Sequence, residues 1–559
     1  MTAQRLRVEE QATPYLVAPL LTDHLDTFAT APEGFKRLRE LVLNLAVRGR
    51  LLPQIDTDKP LSVGSRTLPV PDAPFSIPQS WRWERIGEVL SLINGRAFKP
   101  AEWLPSGLPI VRIQNLNNAA AVFNYCNETS VDARHIIDDE EFLISWSGTP
   151  GTSFGAFIWT RGRAALNQHI FKCELQTREI DQGYLRLAIN GRLDEMIAKA
   201  HGGVGLQHIT KGKLEQLALP LPPLAEQSRI VVKVEELMAL IDRLEEKVSR
   251  GDTARGKLLD TLLAALADSP DAAATAEAWA QLAPHFDLLL QTPADVDRLQ
   301  QTLLTLAVKG RLVPQDPNDE PAAELLKRIR AEKERLIAEG SCKPDKPLPE
   351  VGDGERPYEL PQSWTWARLG ELLTYGPQNG TSPRPVEHKT DVRCLTLSAT
   401  TAGYFKSDRF KYVDIPESQA AAYRLKRGDL LVQRANSLEY VGVSALYEGK
   451  DDQFIFPDLM MRFRVSLVLE KYLHLALSGF TCRQYFRDKA TGTQGNMPKI
   501  NQGTLVSAPI ALPPLPEQSR IVAAVAFLTA LCDRLRERLA ARRDLSAKLA
   551  TALTETALA

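Results

Sequence analysis

The sequence predicts an α+β protein: two mixed α/β domains joined by two long antiparallel helical, coiled-coil regions, arranged as a pseudo-two-fold internal repeat. Three observations predict it. Three segments occur twice, in the same order, along the 559 residues. One of them runs into a seam of apolar side chains at heptad spacing in both copies. Between the repeated segments lie two stretches of mixed α/β character that do not resemble each other.

The first repeated segment runs from His24 to Gln54 and from His285 to Gln315, with fourteen of 31 positions identical at an offset of 261. Thr292 before Pro293 reads as a helix start, since proline at the first helical position lacks only an amide hydrogen that has no partner there. Gly49 and Gly310 stand where the apolar periodicity ends, with Pro53 and Pro314 beyond them, which is a stop signal in both copies. The second segment is IPQSWRWERIGEVL from Ile77 and LPQSWTWARLGELL from Leu360, read as a packed entry loop into a domain. The third begins LPPLAEQSRI at Leu221 and LPPLPEQSRI at Leu512, and seventeen of its 24 positions match at an offset of 291. Its prolines fit a strand-to-helix junction, which places Glu226 in a first helical turn where a negative charge suits the dipole.

Beyond that junction Ile230, Val234, Leu237, Ile241, Leu244 and Val248 form an a/d seam, repeated by Ile521, Val525, Leu528, Cys532, Leu535 and Leu539. Gly251 and Arg255 interrupt the first seam, and Leu258 and Leu262 are expected to resume it. Helical from Leu224 to Leu266, the first region would span about 65 Å. So narrow a seam needs a covering helix. The expected partners are the helix from Pro293 for the first long helix and the N-terminal helix (Pro32–Val47) for the second. A charged segment from Ala322, AAELLKRIRAEKERLIAEG, occurs only in the second half. A solvated helix is expected there, a protein-contact helix being the sharper alternative.

The divisions expected are an N-terminal helix (1–53), a linker and entry loop (54–84), a first variable domain (85–218), a central coiled coil (219–315), a charged helix with linker and entry loop (316–367), a second variable domain (368–509) and a C-terminal helix (510–559). Hydrophobic residues make up 44% and charged residues 25%, which excludes collagen-like, disordered and disulfide-stapled classes. Six cysteines without a CxxC pair argue for a reducing compartment and against structural zinc. The N-terminus shows no signal-peptide pattern, and no apolar run of membrane-spanning length is expected. Lys+Arg at 68 against Asp+Glu at 69 weakens an indiscriminate nucleic-acid binder but leaves room for a local basic patch.

No catalytic motif emerges: no phosphate-cradling GxxxxGK[ST], no HExxH, no glycine-rich nucleotide turn and no Asn/Asp-Pro-Pro-aromatic run. His169 reads as a buried polar residue, and pairing Asp458 with Glu470 as a nuclease cluster has little to recommend it. The variable domains instead carry recognition-type side chains in loops. The first has Arg112, Gln114 and Asn115. The second has Asn379, Ser382 and Arg384, then Arg434, Asn436 and Ser437, then Gln494, Asn496 and Lys499. Arginine can bond guanine bidentately, asparagine and glutamine adenine, while serine and lysine reach phosphates. Such loops also serve simply as turns. Thr374–Ala508 carries 18 Lys+Arg against 13 Asp+Glu, whereas Leu90–Ala218 carries 13 of each, so the basic signal belongs to the second domain.

The doubled order of LAVRGRLLPQ at Leu45 and LAVKGRLVPQ at Leu306, PQSWRW and PQSWTW, and LPPLAEQSRI and LPPLPEQSRI, with GNMPKI at Gly495, resembles the DNA-specificity subunit of type I restriction–modification systems. The resemblance covers nearly the whole chain. It implies that each variable segment is a target-recognition domain reading one half of a split target in double-stranded DNA. It further implies that the long helices set the gap between the halves and dock two modification subunits, and that two restriction subunits join the complex. It implies no catalytic site and no cofactor in this chain; S-adenosylmethionine, ATP and Mg would serve the partner subunits, in the cytoplasm and away from any membrane. Two other readings stand beside it: a coiled-coil scaffold with no nucleic-acid role, and a self-contained methyltransferase or nuclease.

Overall fold

The computed structural model describes residues 23–58, 74–148, 154–192, 207–340, 342, 344, 347–492 and 497–558. Five helices build the frame: α1 (Gly34–Val47), α2 (Leu224–Ala267), α3 (Pro293–Val308), α4 (Ala322–Ala338) and α5 (Leu515–Leu558). The chain folds as two compact units, residues 1–251 with 541–559, and residues 252–540. Both α2 and α5 contribute one end to each unit.

In the first unit, Phe35, Leu38, Leu41, Val42 and Leu45 bury one stripe of α1. They share a core with Ile230, Val234, Leu237 and Ile241 from the first turns of α2 and with Ala550 and Ala557 from the last turns of α5. Each fully buried Leu or Ile in such a stripe contributes about 1.5–3 kcal/mol. Polar bonds fix the register: Arg39 pairs with Asp242 at 2.7 Å, and Arg37 donates to Thr551 at 2.6 Å. Arg50 donates to the Leu558 carbonyl at 2.7 Å, satisfying the C-terminal end of α5.

The second unit repeats this with the opposite ends of the long helices. Val296, Leu299, Leu303 and Leu306 of α3 pack with Leu259, Leu263 and Leu266 of α2 and with Cys532, Leu528, Leu535 and Leu539 of α5. Arg311, the counterpart of Arg50, donates to the Ala267 carbonyl at the end of α2. Within each unit, therefore, the two long helices enter from opposite chain ends, the order of an antiparallel pair.

The expected pairings form: α1 packs on the last turns of α5, and α3 on the last turns of α2. Each short helix also covers the other long helix, so the seam from Ile230 to Val248 is covered by α1 rather than by the helix from Pro293. The seam also resumes one residue later than the heptad count implies. Leu259 is fully buried while Leu258 is 50% exposed. The step from Val248 to Leu259 is eleven residues, closer to the natural pitch of an α-helix than seven. This brings Arg255 into the seam, where it pairs with Asp295 at 2.8 Å. By length and composition α5 could cross a membrane, against the expectation of no such run, yet its Ile521, Val525 and Cys532 are buried in protein cores.

The variable part of the first unit contains β1 (Arg82–Arg85), β2 (Leu90–Asn94), β3 (Leu108–Val111), β4 (Asn124–Cys126), β5 (Ile136–Ile137), β6 (Phe142–Ser145), β7 (Ser147–Gly148), β8 (Gly155–Ile158), β9 (Ala164–Leu166), β10 (Ile170–Leu175), β11 (Gln207–His208) and β12 (Ala218–Leu221). A sheet ordered β2-β10-β6-β8 packs beside one ordered β4-β3-β9-β5, and β1 pairs with β12 where the domain joins the frame. The second unit has β13 (Thr365–Arg368), β14 (Leu373–Asn379), β15 (Pro385–Val386), β16 (Val392–Leu395), β17 (Phe410–Val413), β18 (Leu430–Gln433), β19 (Ser444–Leu446), β20 (Met460–Val465) and β21 (Pro509–Leu512). The order β14-β20-β18-β19 repeats the first sheet, and β13–β21 repeats β1–β12.

The three repeated segments meet at that joint. Trp81 Nε1 donates to Glu226 at 2.9 Å, Gln54 donates to the same carboxylate at 2.7 Å, and Ser80 donates to Gln54 at 2.7 Å. In the second unit Trp364, Gln315 and Ser363 repeat this around Glu517 at 2.9, 2.6 and 2.8 Å. A Cβ on Gly49 or Gly310 would lie 2.4 or 2.7 Å from Pro78 or Pro361, and both glycines have positive φ. Burial raises both carboxyl groups above the ordinary glutamate range, although the Trp and Gln donors oppose it. The dipole role expected for Glu226 is therefore secondary to a buried acceptor role.

The helix from Ala322 forms as expected but is not simply solvated. Ala322, Leu325, Leu326 and Ile329 of α4 are buried, and Lys333 Nζ donates to the Gly370 carbonyl at 2.6 Å. It packs against the entry to the second variable domain.

Candidate nucleic-acid interface

In the second unit, candidates from separate sequence segments converge at one end of the β14-β20-β18-β19 sheet. The Arg434 amide bonds the Leu459 carbonyl at 2.8 Å, and its guanidinium reaches the Asp458 carbonyl at 3.4 Å. Ser382 donates to the Asp458 carboxylate at 2.5 Å. The Asn436 backbone amide bonds the Pro498 carbonyl at 3.3 Å, while its side-chain amide donates to Gln433 at 2.7 Å and its side-chain carbonyl accepts from the Ser437 amide at 2.7 Å; the Ile500 amide bonds the Arg434 carbonyl at 2.9 Å. Lys499 pairs with both Thr491 and Ala435. Asn379, ending β14, accepts from Gln502 at 3.4 Å. The structure thus gathers Asn379, Ser382, Arg434, Asn436 and Lys499 on one edge, with exposed Arg384 and Ser437 on the adjoining loops. Gln494 and Asn496 lie outside the described residues.

Buried charge supports this edge. Asp429 is fully buried between Arg462 and Arg464, and Arg462 also donates to Tyr375 at 2.9 Å and to Gln378, the residue before Asn379. Arg483 donates to the Val441 and Glu439 carbonyls, both at 2.6 Å, holding the loop after Ser437. Burial pushes its guanidinium down to about 10.

The first unit builds the same edge from different residues. The Ile209 amide bonds the Trp146 carbonyl at 3.1 Å, as Ile500 bonds Arg434, so Trp146 occupies the place of Arg434. β11 pairs with β7 where Lys499 pairs with Ala435. The Gly95 amide bonds the Ile170 carbonyl at 3.0 Å, as Gly380 bonds Met460 at 3.1 Å, which makes Asn94 the counterpart of Asn379. The ring of half-buried His169 lies 5.3 Å from that of Trp146, tilted by 57°.

The first-domain candidates are placed differently. Arg112 follows β3 as Thr396 follows β16, on a neighbouring loop of the same end rather than in the place of Arg434. Gln114 is exposed there, and the Arg112 guanidinium lies 5.9 Å from the Trp103 ring. Asn115 is a correction. It is fully buried; its carbonyl accepts from the Arg112 amide at 3.0 Å and its amide donates to Ala121 at 3.2 Å, so it shapes the loop and offers nothing outward. Sequence reading missed Asn94 and Trp146. The usable signal was the shared Asn-Gly dipeptide. It stands eleven residues after Trp83 but thirteen after Trp366, because β14 carries two register shifts that β2 lacks.

Two variable domains with unlike edges thus sit on one duplicated helical frame. The sequence profile described as type I restriction modification DNA specificity domain matches residues 78–250 and 361–541. The chain is 31% identical to the type I restriction enzyme EcoEI specificity subunit of Escherichia coli, over 97% of this chain and 100% of that one. It is 29% identical to the EcoAI specificity subunit of Escherichia coli, again over 97% and 100%. A crystal structure of the HsdS subunit from Thermoanaerobacter tengcongensis aligns over 87% of this chain and 98% of that one, at 16% identity and a TM-score of 0.42. The chain belongs to the type I restriction–modification DNA-specificity subunits. The scaffold and self-contained-enzyme readings give way to that membership.

Proposed function

We propose that each variable domain reads one half of a bipartite target in double-stranded DNA through the edge described above, without catalysing any step itself. In this reading α2 and α5 dock two modification subunits, and two restriction subunits complete a cytoplasmic complex. S-adenosylmethionine, ATP and Mg serve those partners. The observation that carries the reading is the convergence on one edge of arginine, asparagine, serine and lysine from segments up to 120 residues apart, Asn379 to Lys499. Specificity needs base contacts, and phosphate contacts supply salt-sensitive affinity.

The test is a gel shift of the chain assembled with its modification subunits, together with selection of modified sites from a random library. Binding should depend on sequence and weaken with salt, and the selected sites should share two short blocks separated by unread base pairs. Seven residues inserted into both long helices, matched in α1 and α3, keep the heptad and add about 10.5 Å, or about three base pairs of gap. Unchanged spacing would show that the helices do not set the distance.

A further inference from the structure

Asn94-Gly95 and Asn379-Gly380 are the same dipeptide at the same structural position in two domains whose edges otherwise differ. The glycines are explained by close approach. A Cβ on Gly95 would lie 2.1 Å from the Asn167 carbonyl oxygen, and one on Gly380 would lie 2.2 Å from that of Phe456. The asparagines have no such explanation. Asn-Gly commonly serves a turn by adopting positive φ, yet none of these four residues has positive φ. Neither asparagine caps a helix; the short helix after Asn94 is capped at Lys99. Asn94 is exposed, and no side-chain bond engages it among the described residues. Asn379 is half-buried and accepts only the long bond from Gln502, leaving its amide donors unused within the described residues. In both domains the glycine pins the strand end against a carbonyl, and the asparagine beside it is presented at the edge.

We propose that Asn94 and Asn379 are paired base-reading residues, each bonding an adenine at the corresponding position of its own half of the target. An asparagine side chain sets an N–H donor beside a carbonyl acceptor, so it can donate to N7 of adenine and accept from N6 in the major groove. Two domains built alike dock alike, so the two blocks of the target carry an A·T pair at equivalent positions. This assignment rests on the reading of each domain as a DNA-recognition domain.

The test uses the full chain assembled with its modification subunits and a random duplex library from which modified sites are selected. Wild type, N94A, N379A and the alternatives N94S and N379S are compared after thermal melting confirms folding. N94A is expected to relax one A·T position in one block by roughly 5- to 150-fold while leaving the other block unchanged, and N379A to do the converse. Profiles identical to wild type, equal weakening at every sequence, or relaxation in both blocks would overturn the assignment. A wild-type profile without two blocks would overturn the underlying functional reading instead, so the two failures are distinguishable.

Discussion

The two units agree at the buried joint between frame and domain and differ at the edges of their variable domains. The hydrogen bonds around Glu226 and Glu517 match to within 0.1 Å, from tryptophan, glutamine and serine alike. At the variable-domain edges Trp146 stands for Arg434 and His208 for Lys499, while the Asn-Gly dipeptide is shared. The contrast follows from what each place demands. A buried carboxylate must keep its donors or lose their compensation for desolvation, whereas an exposed edge tolerates any side chain that its ligand accepts. The frame therefore fixes where an edge is held, and under the function proposed above the edge is free to change what it reads.

The largest break in this symmetry lies in the helical seam. Arg255 and Asp295 form a buried ion pair in the second unit, while the corresponding first-unit positions are Ser546 and Gly34. Asp295 accepts from Arg255, Thr292 and Arg298, and these bonds lower its carboxyl below the usual range despite burial. D295A would strand Arg255 and should cost about 3–5 kcal/mol in denaturant unfolding. R255M/D295A should recover part of that loss, because it removes the unpaired charge while the Gln291 and Thr292 amides and Arg298 still lack their acceptor. A double variant no more stable than D295A would show that the pair does more than neutralise itself.

A smaller effect measures the equivalence of the frames. W81F and W364F each remove the indole donor and leave a buried carboxylate with one donor fewer. Each should cost about 1–3 kcal/mol. Nearly equal losses, measured by urea unfolding of the two variants, would sharpen the symmetry. A negligible loss in one unit alone would break it.

Much of the frame was legible in the sequence because burial enforces periodicity. The apolar stripes of α1 and α3, the glycine stops and the strand-to-helix junctions all follow from the repeated segments. The seam register near Leu258 was not legible, since a heptad count cannot register an eleven-residue step. Which side chain at an edge faces outward was legible only in part. Asn115 has the composition of a recognition residue, but its amide is consumed by its own loop. Asn94 was hidden by the two-residue irregularity in β14, which offsets the domains locally. Recognition chemistry depends on exposure, and exposure at a loop is set by backbone bonds that no local pattern encodes.

A further effect separates the units by pH. Glu84 of β1 is buried, and its counterpart in β13 is Ala367. Burial, reinforced by its bond with the Glu88 carboxylate, lifts Glu84 to about 7 although Arg82 opposes the rise at 2.9 Å. The folded protein therefore holds this proton more tightly than the unfolded chain, whose glutamate titrates near the ordinary value of 4.5. The stabilisation due to the protonated side chain is complete below that ordinary value and is lost as pH rises through about 7. E84Q keeps a neutral side chain at every pH and should remove this dependence. Plotted against pH, the stability of wild type minus that of E84Q should fall between those two values and be level on either side. Thermal unfolding of both proteins across that window supplies the comparison, and parallel curves would show that Glu84 is ionised throughout, with Arg82 outweighing burial.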